Sequence, residues 1–330
     1  MIVKMLKGCV AAISVLSVCA TVSAAELVDN PRQLRWLLRA YVAGSWVLAA
    51  ITLANFASPE AVAAGQVRFY AEGLDPNDTA RFLDLAFPLA ALLVDGESRW
   101  HGKLLALGYF PLGLLAVLLT ASRGGFVAAV LAVAGSAALL VSVKPKRVVG
   151  GLLAVPVLSA VLWWIVPLES LERLATIYEQ LDGGNLNERV NIWVQGWQAF
   201  VRAPIFGTGA GSFVAAAGLA PSDTAHNTAL SIVVGGGLCA LALFAAILVL
   251  AIESILKLRG PLLWALATAS LVLLVTSLTA AVEESRNTWL LLALIAVAGR
   301  LAVESSQSLS ACFPARARHH ELAPLHPQSI

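Results

Sequence analysis

Between Leu104 and Val143 the chain runs forty residues with a single charge, Arg123. One helix of that length would extend ~60 Å, about twice the ~30 Å hydrocarbon core of a bilayer. The run therefore reads as two crossings. The break falls at Ser122-Arg123-Gly124-Gly125, where the paired glycines are expected to permit the reversal. Composition agrees. The chain is 59% hydrophobic and 13% charged, whereas soluble domains carry roughly 25% charged residues. A net charge of +2 gives no argument for nucleic acid. Cys9, Cys19, Cys239 and Cys312 form no CxxC pair, and no His/Asp/Glu set has ligand spacing, so neither a metal site nor a disulfide framework is expected.

Hydropathy gives nine candidate spans: about 8–25, 37–57, 82–94, 104–121, 124–143, 148–167, 227–252, 261–282 and 288–303. The expected fold is an all-α polytopic bundle over 1–303, followed by a flexible cytoplasmic tail over 304–330. Lys144, Lys146 and Arg147, with Lys257 and Arg259, Arg99 and Lys103, and Arg32, Arg35 and Arg39, mark alternate loops as cytoplasmic. The other side then holds 58–81, the turn at Arg123, the long loop 168–226, and Glu283-Glu284-Ser285-Arg286-Asn287. Nine spans ending inside start outside, which conflicts with Lys4 and Lys7. Residues 1–25 either mimic a cleaved signal peptide or form an inward span of a longer ancestral chain. The second reading is favoured.

The loop 168–226 is too long to be a mere connector. Leu171, Leu174, Ile177, Tyr178 and Leu181 repeat at helical spacing. So do Val190, Trp193, Val194, Trp197, Phe200 and Val201, with Asn191, Gln195, Gln198 and Arg202 opposite. Two tryptophans on one face suggest a helix lying in the membrane interface. Arg189 falls at the margin of that face, near Trp193 and Phe200. "PIFGTGAGSF" (204–213) has the glycines of a nucleotide loop but neither the strand nor the βαβ unit, so that reading is rejected. His226 and Asn227 follow at the entry to the seventh span. An imidazole there can take a proton from an attacking hydroxyl; helix capping is the plainer role for its polar neighbours.

Four stretches in order resemble the superfamily of O-antigen ligases and O-antigen polymerases, over about residues 65–303. They are "GLDPNDTARFLDLAFPLAALL" (73–93), "TASRGG" (120–125), "ERVNIWVQGWQAFVRAPIFGTGAGSF" (188–213) and "HNTALSIVVGGGL" (226–238). The resemblance implies a bundle of the GT-C-like kind with its active face periplasmic, in the bacterial inner membrane. It implies transfer from an undecaprenyl-pyrophosphate-linked glycan, without metal or other cofactor and with inversion. The acceptor would be a lipid A–core sugar, another lipid-linked repeat, or a protein hydroxyl. Arg123 and Arg189 would hold the pyrophosphate, because a guanidinium stays charged and binds phosphate bidentately. His226 would be the base and Asp223 its orienting partner, with Asn227, Asn77 and Arg286 as supporting candidates. The competing class is a transporter of the inorganic-carbon kind. It would need charged residues in mid-span, and these are expected to be nearly absent. A third reading is an inactive relative lacking N-terminal spans.

Overall fold

The computed structural model describes residues 28–71, 73–96, 100–143, 164–181, 189–221 and 223–312, and among them all regular structure is helical. The long helices are α1 (Pro31–Phe56), α3 (Pro76–Gly96), α4 (Trp100–Leu119), α5 (Arg123–Val143), α10 (Thr228–Leu256), α11 (Gly260–Ser277) and α12 (Arg286–Cys312). Short helices lie between them: α2 (Pro59–Ala63), α6 (Leu168–Ala175), α7 (Ile177–Leu181), α8 (Arg189–Arg202) and α9 (Phe213–Ala217). A 3-10 turn spans Val282–Glu284. The last helix continues past Val303 to Cys312.

Among the described residues six helices are long and apolar enough to cross a bilayer: α1, α4, α5, α10, α11 and α12. Nine spans were expected from sequence. The segment 8–25 and all of 148–167 except its last four residues lie outside the described residues. The segment 82–94 is present as part of α3, but Asp78, Arg81, Asp84 and Asp95 make that helix too charged to qualify by composition.

α3 is nevertheless the centre of the bundle, packed against α1, α4, α5 and α11. Its contact surfaces are small: Ala80, Ala86 and Ala90 meet Ala128, Ala129, Ala132 and Ala269 in one core, all at most 1% exposed. Small residues let helix backbones approach closely, which is how apolar helices associate in lipid. Pro88 interrupts α3. The hydroxyls of Tyr41 and Tyr109 donate to the carbonyls of Phe82 (3.2 Å) and Leu83 (2.7 Å), tying α1 and α4 to α3.

This central helix corrects one expectation. Ionisable side chains do enter the bundle: Arg81 is 3% and Asp84 0% exposed. Only Nη2 of Arg81 is paired, to Asp78 at 2.7 Å. Nε and Nη1 of Arg81, and both carboxylate oxygens of Asp84, have no hydrogen-bonding partner among the described residues.

Candidate functional site

The Ser-Arg-Gly-Gly turn is built differently from its sequence reading. Neither glycine takes a left-handed conformation; the reversal falls on Ala121, with φ 47°. Gly124 and Gly125 lie in the first turn of α5. A Cβ on Gly125 would collide with Cβ of Ala80 on α3, and one on Gly124 would stand 2.8 Å from Oγ1 of Thr279. The glycines thus serve close packing. Ser122 caps α5: its hydroxyl accepts from the Gly125 amide at 3.1 Å and donates to Oδ1 of Asn77 at 2.7 Å. Asn77 therefore ties the start of α3 to the turn.

Around this turn stand four arginines. Arg123 donates through Nε to the Arg173 carbonyl (3.1 Å) and through Nη2 to Oγ1 of Thr176 (2.6 Å). Arg173 returns the contact, donating through Nε to the Ala121 carbonyl at 3.2 Å. Arg68 donates to the Thr120 carbonyl and to Oδ1 of Asn77, both at 3.2 Å. The 65–71 segment that carries Arg68 is pinned to the turn by the Phe69 amide bond to the Leu119 carbonyl, 2.9 Å. Arg189 opens α8. Burial, chiefly, and the neighbouring charges of Arg173 and Arg189 push the Arg68 guanidinium down to about 10, against the pull of Asp75. Burial likewise lowers Arg189, Asp75 opposes it, and Arg123 and Arg173 add to the lowering. These cations share one electrostatic neighbourhood, in which Asp75 is the counter-charge common to Arg68 and Arg189. Such mutual repulsion is relieved by an anion.

Sequence reasoning named Arg123 and Arg189 but missed Arg68, Arg173 and Asp75. Asp75 had a readable signal in Asp-Pro-Asn-Asp, a helix-start pattern. Its Oδ1 accepts from the amides of Asn77 (2.7 Å) and Asp78 (3.1 Å) at the start of α3.

His226 sits half-buried at the same end, in a left-handed conformation with φ 46°. Its Nδ1 meets Oγ1 of Thr224 at 3.2 Å. Asp223 spends one carboxylate oxygen on the Ala220 amide, 3.1 Å, and reaches the imidazole by charge alone. Burial first, then Arg189, lowers the His226 pKa below its ordinary value, with Asp75 and Asp223 opposing. The ring is thus neutral at neutral pH, the form a base needs. Asn227 plays the plainer role: its Oδ1 accepts from the Leu230 amide at 2.9 Å and caps α10. Arg286 is exposed at the first position of α12, and no contact brings it to the arginines among the described residues.

A second titratable group was not anticipated. Glu283 stands beside the first turn of α10, where Thr228 accepts from the Val282 amide at 2.9 Å. Burial pushes its carboxyl up to about 7, partly offset by the neighbouring Ser231 and Thr228 hydroxyls. No group of three or more His, Cys, Asp or Glu able to hold a metal occurs among the described residues.

The fold defines a polytopic helical membrane protein with a cationic, histidine-bearing cluster at one end of its bundle. Residues 108–245 match the family model described as O-antigen ligase, Wzy_C. The matched segment contains Arg123, Arg173, Arg189 and His226. No curated protein matches the chain.

Proposed function

We propose that the protein transfers a glycan from an undecaprenyl-pyrophosphate donor to an acceptor hydroxyl at the outer face of the bacterial inner membrane. The observation that carries this reading is the convergence of four arginines on one turn, beside a neutral histidine. The acceptor oxygen attacks the anomeric carbon while the bond from that carbon to the diphosphate oxygen breaks. The bonding pair leaves with the diphosphate, whose growing charge the guanidiniums meet. The hydroxyl proton passes to His226. Attack opposite the leaving group inverts the anomeric centre. The match of residues 108–245 to the O-antigen ligase family model supports this reading, with a sugar of lipid A–core as the proposed acceptor.

The test is transfer by the purified protein in lipid, with donor binding measured separately. His226→Ala is expected to abolish transfer and leave donor binding intact. Full activity in that variant would sink the base assignment.

A further inference from the structure

Helix α8 has three faces. Ile192, Gly196 and Ala199 are buried against the protein. Asn191, Gln195, Gln198 and Arg202 form a polar face about 100° from an exposed stripe of Val190, Val194, Trp197 and Val201, by the ~100° per residue of an α-helix. That stripe is 43–58% exposed. It was expected to form one surface with Trp193 and Phe200. Those two turn inward instead, Trp193 Nε1 donating to the Ala225 carbonyl at 3.0 Å. The apolar stripe continues past the helix into Ile205 (57%) and Phe206 (77%).

The height of this surface is fixed by α10. Gly237 breaks α10 with φ 65° and ψ −164°. The amides left there are taken by the preceding segment: Leu238 donates to the Pro204 carbonyl (2.9 Å) and Cys239 to that of Ile205 (3.2 Å). In return the Thr208 and Gly209 amides donate to the carbonyls of Val234 and Gly235, both at 2.8 Å. Only glycine fits: a Cβ on Gly237 would strike the Ile205 carbonyl, and one on Gly207 would lie 2.6 Å from the Gly235–Gly236 peptide. From Gly237 to Leu256 the helix covers ~30 Å, one hydrocarbon thickness, and Lys257 and Arg259 follow. The clasp therefore sits at the far edge of the hydrocarbon. There Ile205 and Phe206 adjoin the exposed, lipid-facing side chains of α10 such as Leu238 (51%) and Leu243 (69%).

We infer that the apolar stripe of α8 and the Ile205–Phe206 tip dock into the phospholipid surface on the Arg189 side of the bilayer, held at that depth by the main-chain clasp to α10. An adjoining polar face and aromatic anchors are what an interfacial helix requires. Arg189, at the inward-facing start of the same helix, then stands at the depth of lipid phosphates. That last consequence rests on the lipid-diphosphate reading; the depth itself does not.

The experiment uses the full chain in phosphatidylethanolamine–phosphatidylglycerol nanodiscs without donor, the native cysteines replaced by serine. Spin labels are attached after Trp197→Cys, Phe206→Cys, Asn191→Cys or Gln198→Cys, one at a time. Collision with oxygen, which concentrates in lipid, is compared with collision with a water-soluble nickel chelate. The oxygen-to-nickel ratio should be several-fold higher at 197 and 206 than at 191 and 198. Equal ratios would place the stripe in water, and exclusion of both reagents would mean that a second protein copy covers it; either overturns the docking. In the unsubstituted chain the Leu238 and Cys239 amides should exchange slowly despite the break in the helix, and fast exchange removes the clasp. A chain that docks yet transfers no glycan would fail the functional reading alone.

Discussion

Arg123 and Arg81 are both arginines at the starts of helices in an apolar bundle, yet they are held in opposite ways. Arg123 reaches across to α6, and α6 answers through Arg173, so the two guanidiniums brace each other's backbones. Arg68 does the same from a third segment. Arg81 instead keeps one partner within its own helix, and Asp84, one turn deeper, has none for its carboxyl among the described residues. The first arrangement locates charge for use. The second leaves it at a cost, since an unpartnered buried polar group typically loses about 1–3 kcal/mol. Preorganised cations belong where negative charge develops; solitary buried ones mark a place where helix packing has overridden solvation.

The largest expected effect lies in the braced cluster. Arg189→Ala should lower transfer about 10²–10³-fold, the usual loss on removing one preorganised donor, with membrane insertion unchanged. A loss below about tenfold in the same kinetic assay would place Arg189 outside the reacting charge. Next comes packing at the turn between the regions. Gly125→Ala forces α5 away from α3 and should destabilise the fold by about 1–3 kcal/mol, as overpacking does. Thermal unfolding in detergent measures it, and an unshifted midpoint would show that the close approach of α5 to α3 does not depend on Gly125.

A paired substitution sharpens the contrast in partners. Asp75→Ala removes the cap of α3 and should cost about 0.5–2 kcal/mol. Asp84→Asn keeps shape while replacing a buried carboxyl that has no hydrogen-bonding partner among the described residues, so unfolding should shift by less than about 1 kcal/mol. A larger loss at Asp84 would make the mid-bundle carboxylate a group in use and favour the transporter class. The smallest effect is on pH. His226 is lowered below ~6.5 partly by Arg189, so activity should fall as pH drops through that lowered value. In Arg189→Gln the residual acid limb should move upward by less than about one unit. Movement downward would contradict the coupling.

The bundle was legible because apolar runs of spanning length have one meaning in water and another in lipid. Arg123 and His226 were legible because each is alone in its surroundings. Arg68 and Arg173 were not, since their relation to the turn depends on how 65–71 and α6 fold back onto residues about fifty positions away. The glycines of Ser-Arg-Gly-Gly misled for a physical reason: the same residue serves a reversal and a close approach, and only the neighbouring Ala80 and Thr279 decide which. Arg81 and Asp84 were passed over because α3 begins like a solvated helix and ends like a buried one, so the border of its polar segment was drawn too far out.

The clasp between 204–209 and 234–239 joins chain segments about thirty residues apart chiefly through main-chain atoms, with the Thr208 hydroxyl also donating to the Val234 carbonyl at 2.9 Å. The stretch between them, which carries α9, Thr224 and His226, is therefore a closed ring with a fixed base. Residues inside the ring can change in kind or number while its two ends keep their spacing. In evolutionary terms that makes it a module, able to present different surfaces while the anchorage that fixes its two ends stays the same.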